Sequence, residues 1–365
     1  MAKCAICGQR EASKPNSHLI PSFIISMVSS YDGSYKRDKE MLFTFESIQN
    51  SFYAGREVIE PNYLNYFQSI SEEKKTMIQD HQSFAPNNIF CPKCEEKLGN
   101  LLESKYKNNK KDGLVSIMFW MSILWRTSKF YHSAYKLPQN YEDVMHTLLD
   151  EYLQCNGKIQ NKTDFINRIP FSYKLLYCPD YCKNNAGYIS VFINIETNSA
   201  TYFMGDFVLQ IYFSETQHEH NIFGLDIFLN KALLNTGEEL ENKQILLPTQ
   251  LQSVYQSLIE YCCNLRSENE KDYIKEIWNI MRYQLGCNIP QNPSLKFCQL
   301  FIDKIYDYKN HPYRIISDRE RISILLQLVI QEYGNKILPL WLPWNQRYWK
   351  DTLANKWAKN IRITW

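Results

Sequence analysis

Apolar positions recur at helical spacing along much of this 365-residue chain and alternate at strand spacing in one central stretch. The segment Leu114–His132 is strongly apolar and reads as a helix buried on most sides. Its longest apolar run, about 13 residues from Gly113 to Trp125, ends at Arg126 and is too short to span a bilayer. A second helix is predicted over Tyr141–Gln154, where Val144, Met145, Leu148, Leu149 and Tyr152 fall on one side. Between about 170 and 230 the pattern changes. Tyr188–Ile195, Ala200–Met204 and Phe207–Phe213 are β-branched and aromatic with polar breaks, as strands are. Helices return from Pro248, where Ser267…Glu270 and Ser317…Glu320 both match capping-box spacing. The second precedes a stripe of Ile322, Leu325, Leu326 and Val329. The fold class predicted is α+β, a mostly helical body with a short antiparallel β section.

Composition narrows the class. Hydrophobic residues make up 44% of the chain and aromatic residues 14%, as in a packed globular protein. Glycine is scarce at 12 residues, and no H-E-x-x-H, G-x-S-x-G or Walker-type loop occurs, which removes the common metalloprotease, hydrolase and NTPase readings. A formal net charge of +2 means that any nucleic-acid surface is local. The polar opening Met1–Ser17 and an odd count of 11 cysteines predict a chain without a secretory leader, in a reducing compartment such as the cytoplasm.

The strongest chemical signal is the pair of knuckles Cys4-Ala-Ile-Cys7 and Cys91-Pro-Lys-Cys94. Each C-x2-C loop turns two sulfurs toward one point, and four thiolates satisfy tetrahedral Zn²⁺ in a structural site. Gly8 suits the tight turn after the first pair. Cys94 opens an amphipathic helix with Leu98, Leu101 and Leu102 on one face, and a Lys/Asn-rich linker is predicted over Lys105–Asp112. Between the knuckles lies a long insertion at about 24–86, rich in Ser, Tyr and Asn.

Knuckle, excursion and knuckle-plus-helix look like a treble clef, and Ser17-His18-Leu19-Ile20-Pro21 after the first pair makes the resemblance more specific. The arrangement resembles the HNH endonuclease family. A bacterial group that pairs C-x2-C, S-H-I-I-P and C-x2-C-E with a later S-x-x-W-R looks closer still; this chain has Cys91–Glu95 and Ser122-Ile-Leu-Trp125-Arg126. The likeness covers about the first 130 residues. It implies that His18, on a first β-strand, is the general base that activates water, and that Asn87 or Asn88 holds the loop aiming it. It implies a catalytic Mg²⁺ or Mn²⁺, Glu95 in the catalytic set, and nucleic acid as partner, DNA ahead of RNA, in a setting such as bacterial genome defence. Two departures stand: Ser17 occupies a position usually held by a metal-binding Asp or His, and Glu95 one usually held by His or Asn. A catalytically inactive treble clef that binds nucleic acid or a partner protein is the alternative, with His18 as a buried structural residue.

Other candidates are less specific. Glu103 reads as a solvated carboxylate on the second-knuckle helix. Cys178-Pro-Asp-Tyr-Cys182 has no second pair nearby, and His218-Glu219-His220 reads as a polar loop. The tryptophans of Leu338–Trp365 read as a terminal helix docked in the core, or as a stacking surface in which Arg347, Lys350, Lys356 and Lys359 meet phosphates. The division predicted is a zinc domain at 1–110, a helical then β section at 111–240 and a helical region at 241–365.

Overall fold

A computed structural model describes residues 2–29, 43–46, 51–54, 85–108, 112–130, 136–185, 187–194, 199–213, 223–285, 290–305 and 318–333. After the first knuckle the chain enters helix α1 (Ser22–Ser29) and a hairpin, β1 (Phe43–Glu46) and β2 (Ser51–Ala54). The second knuckle starts α2 (Pro92–Leu98), which continues through a π-helical turn, Gly99–Glu103, into α3 (Ser104–Asn108). Next come α4 (Gly113–Phe130), α5 (Gln139–Gln154), α6 (Lys162–Asn167), β3 (Ser172–Tyr177) and α7 (Tyr181–Asn184). The central strands are β4 (Tyr188–Asn194), β5 (Ser199–Met204) and β6 (Phe207–Tyr212). The chain closes with α8 (Asp226–Leu229), β7 (Gln244–Ile245), α9 (Pro248–Leu285), α10 (Leu295–Ile305) and α11 (Asp318–Tyr333).

The seven strands form one sheet in the order β1–β2–β4–β5–β6–β3–β7, antiparallel except for the two-residue β3–β7 pair. It is larger than the short β section predicted, because the insertion between the knuckles supplies β1 and β2. Strand alternation sends Tyr173, Leu175, Tyr202, Met204, Phe207, Leu209 and Ile211 to one face, and Leu176, Phe203 and Val208 to the other. Both faces are covered. The first packs against α4 and the knuckle segments, the second against Leu251, Val254, Tyr255 and Leu258 of α9. Two polar residues on that second face, Thr201 and Gln210, sit opposite one another and satisfy each other at 2.5 Å.

Helix α4 is buried along its length from Gly113 to Ser128, which accounts for its near-continuous apolar sequence. Tyr106 stacks on Phe119 at 4.0 Å, and Trp120 meets Phe207 edge-on at 5.9 Å. A single apolar core runs from Cys4 and Ile6 through α4 to the sheet, across the boundary near residue 110. The linker predicted over Lys105–Asp112 is corrected in its first part: α3 is helical to Asn108, because the buried Tyr106 ring anchors it. The capping box at Ser267 is also corrected. That residue lies inside α9, where neither Tyr261–Arg266 nor Lys271–Trp278 contains a Gly or Pro to end the helix. Helix α11 begins at Asp318, and Leu325, Leu326 and Val329 are buried. Ser317 lies outside the described residues. No helix among the described residues is long and apolar enough to cross a membrane.

The loop before β7 inserts the Glu241 side chain, 0% exposed, into this core. Its Oε1 accepts from Trp120 Nε1 and Tyr173 Oη, both at 2.8 Å, and its Oε2 from Tyr106 Oη at 3.1 Å and Lys243 Nζ at 2.9 Å. Burial, then this carboxylate, raises both phenols well above their usual range, so they stay neutral donors. Gly113 lets the loop approach: a Cβ there would fall 1.8 Å from the Glu239 carbonyl oxygen. Ala is the better helix former, yet Gly113→Ala is expected to destabilise by about 2–3 kcal/mol through overpacking. A denaturant midpoint that rises on this substitution would contradict the packing described.

Candidate metal centre and the His18 segment

The sulfurs of Cys4, Cys7, Cys91 and Cys94 all lie within 4.8 Å of one another, close enough to hold a metal ion such as zinc. Zn–S bonds of about 2.3 Å in a tetrahedron place sulfurs roughly 3.8 Å apart, so the four thiols need to close in by only about 1 Å. Local backbone chemistry shapes each knuckle. Gly8 takes the left-handed conformation (φ +62°) and its N–H bonds the Cys4 carbonyl at 2.9 Å, while Cys4 N–H bonds the Arg10 carbonyl at 2.8 Å. In the second knuckle Cys91 precedes the helix and Pro92 starts it, so Cys94 falls in the first turn rather than at the helix start. Burial is the largest influence on all four thiols. It leaves Cys4 and Cys94 raised, whereas at Cys7 the N–H groups of Arg10 and Gln9 outweigh it and bring the thiol down to about 6. Cys91 is lowered too, through contacts with Cys94, Cys4 and Arg10. Each sulfur must be a thiolate to bind a cation, so uptake of a metal by this set would release protons.

The second knuckle also carries the His18 segment. Lys14 N–H bonds the Phe90 carbonyl at 3.1 Å, Asn88 N–H the Lys14 carbonyl at 2.9 Å, and Ser17 N–H the Pro86 carbonyl at 3.0 Å. Asn87 Oδ1 accepts from Asn16 N–H at 2.8 Å. Asn16 and Asn88 both adopt positive φ, +50° and +59°, a conformation that Asn tolerates better than most residues. Asn87 thus holds Asn16, two residues before His18, through its side chain, and Asn88 holds Lys14 through its backbone N–H. Leu19 and Ile20 are fully buried and pin the segment to the core. His18 is half-buried in an irregular stretch that runs into α1. The β-strand that the family likeness implies for it is corrected here, since Pro21 leads directly into a helix.

Arg126 ties these pieces together. Only 1% exposed, it donates from Nε to the Ser122 carbonyl at 3.1 Å and from Nη2 to Ser122 Oγ at 3.2 Å. Its Nη1 donates to the His18 carbonyl at 2.7 Å and to Glu103 Oε1 at 3.0 Å. Glu103 is thus 22% exposed and ion-paired, not the solvated residue predicted. The π-helical turn helps to explain how. Eight residues of regular helix leave Glu95 and Glu103 about 80° apart around the axis, and one extra residue in a turn reduces that to roughly 20°. Glu95 therefore faces the same region. Burial, first, and the Glu103 charge push its carboxyl up, while Arg126, the nearby Ser17 hydroxyl and Lys14 oppose that. Ser17 is 0% exposed; although its hydroxyl lies close to that carboxyl, neither Ser17 Oγ nor Glu95 Oε2 closes a hydrogen bond of good geometry.

The three sequence motifs thus meet at one place, on the core side of His18. Among the described residues only the four cysteines form a group of three or more His, Cys, Asp or Glu able to hold a metal; His18, Glu95 and Glu103 do not. His146 braces the first knuckle from the side, its Nε2 2.8 Å from the Ile6 carbonyl and its ring stacked on Trp125. Cys178 and Cys182 flank a turn fastened by Asp206, whose Oδ2 and Oδ1 accept from the N–H groups of Asp180 and Cys182 at 3.1 and 2.9 Å. His218, His220, Arg347, Lys350, Lys356, Lys359 and the tryptophans from Trp341 onward lie outside the described residues.

Sequence reasoning noticed Arg126 as the end of an apolar run and part of a motif, and missed its role. The available signal was a guanidinium directly after an apolar run of about 13 residues, a position that demands a buried partner. No protein-family model, curated protein or solved structure matches this chain.

Proposed function

We propose that the four cysteines hold one structural Zn²⁺, and that this centre presents His18 as the general base of a metal-dependent, HNH-like nuclease. The observation that carries the reading is the convergence of Ser17–Pro21, Cys91–Glu95 and Ser122–Arg126 on one hydrogen-bonded unit. Separate motifs brought together by long-range bonds, around the half-buried His18, make a rigid platform of the kind a general base needs. In this reading the imidazole Nδ1 or Nε2 takes a proton from water as its oxygen bonds to phosphorus and one P–O ester bond breaks, the departing oxygen taking up a proton from solvent. Glu95, whose carboxyl lies beside the Ser17 hydroxyl, would help to hold a hard cation, Mg²⁺ or Mn²⁺, with the bound phosphate supplying further oxygens.

A second reading, a zinc module that binds nucleic acid or a partner protein without cutting, is favoured by one specific observation. Ser17, where a metal ligand belongs, is fully buried. Plasmid DNA and structured RNA incubated with the zinc-loaded protein separate the two. The nuclease reading expects strand cleavage that requires added Mg²⁺ or Mn²⁺. The binding reading expects retarded but intact nucleic acid, with or without those ions.

A further inference from the structure

We propose that Arg126 is a positioning residue for His18, a role that rests on the nuclease reading above. With 1% exposure it has no surface to offer a substrate, so it does not act by contact. Its hydrogen bonds point elsewhere. Nη1 reaches the His18 carbonyl at 2.7 Å, which fixes the peptide that carries the imidazole. Nε and Nη2 are held by Ser122 one helical turn back, and Glu103 supplies the countercharge at 3.0 Å.

The energetic logic favours geometry over stability. A buried ion pair gains little over a well-packed apolar residue of similar volume, since desolvation consumes most of the attraction. What it does provide is direction. Arg126 springs from α4, the helix buried along its length, so His18 is referenced to the centre of the core rather than to its own irregular stretch. Leu19 and Ile20 fix the following residues by burial, and the Arg126 bond adds a directed hydrogen bond at the His18 carbonyl itself. The π-helical turn belongs to the same arrangement, because it brings Glu103 round to meet the guanidinium.

The test compares wild type, Arg126→Lys and Glu103→Gln as full-length, zinc-loaded proteins. Lysine keeps the charge but cannot bond Ser122, Glu103 and the His18 carbonyl together. Two quantities are read: cleavage kinetics, and the ring resonance of His18 in NMR spectra, assigned by its disappearance in His18→Ala. Arg126→Lys is expected to lower kcat about 10- to 100-fold with KM within about threefold, and to shift the His18 resonance. Glu103→Gln, the milder change, is expected to shift the same resonance and lower kcat less; it carries the test if Arg126→Lys does not fold. A folded variant with unchanged kcat and an unchanged His18 resonance overturns the proposal. So does a kcat loss fully explained by a smaller folded fraction. If wild type cuts neither DNA nor RNA, the nuclease reading falls, while the resonance still decides whether Arg126 positions the ring.

Discussion

Stripping the metal from the four-cysteine centre is expected to unfold residues 2–29 and 85–91 while leaving helix α4 protected from hydrogen exchange. Binding of structural Zn²⁺ is worth about 10–16 kcal/mol in small zinc peptides, comparable with the roughly 5–15 kcal/mol that stabilises a whole domain. Residues 2–29 contain one short helix and an isolated bridge, Lys3 with Glu11, so their hold on the body rests on the metal and on buried side chains such as Leu19, Ile20 and Ile24. Their backbone bonds run to residues 86–90, which are themselves held by the second knuckle. Helix α4 has the sheet on one side and stays packed. Elemental analysis should find one zinc per chain, and Cys94→Ser should reproduce the unfolding without a chelator. Unchanged exchange protection after complete metal removal would show that the centre is not structural.

The second large effect is expected at Glu241. Glu241→Ala removes the acceptor shared by Trp120, Tyr173, Tyr106 and Lys243, leaving buried donors with no replacement. Breaking a buried charged network by deleting one member costs about 3–5 kcal/mol, more than truncating a typical exposed carboxylate. The loss should be shared widely, because the four partners come from α3, α4, β3 and the strap before β7. A fall in the denaturant midpoint with unchanged slope, together with faster exchange in both α4 and β3, is the expected result. Glu241→Gln, which keeps the shape and an acceptor oxygen, should recover part of it. A Glu241→Ala protein as stable as wild type would mean that the network is not formed as described.

Much of the fold could be read along the chain because it is encoded over short range. The stripe Met145, Leu148, Leu149 and Tyr152 defines α5, and alternation defines β4, β5 and β6 within a residue or two. Paired C-x2-C spacing located the four cysteines that do come together. What was not legible depends on partners far apart in sequence. The β1–β2 hairpin joins the sheet by pairing with β4, more than 130 residues further on. Trp120 and Glu241 are 121 residues apart, and Arg126 and His18 are 108 apart, so no local pattern reports either bond. The chemistry follows the same division. The cysteines and His18 stand in recognisable spacings, whereas the roles of Glu103 and Arg126 exist only once a π-helical turn and a buried helix have been superposed.

The central claim, that the zinc-held segment carries a catalytic base, is tested most directly by single-turnover cleavage of plasmid DNA and RNA. Wild type is compared with His18→Ala, both zinc-loaded and supplied with Mg²⁺ or Mn²⁺. The account predicts cleavage by wild type and a loss of about 10²- to 10⁴-fold in the variant, with zinc content and thermal stability retained. Equal cleavage by the two folded proteins, or intact substrate with both, would contradict it.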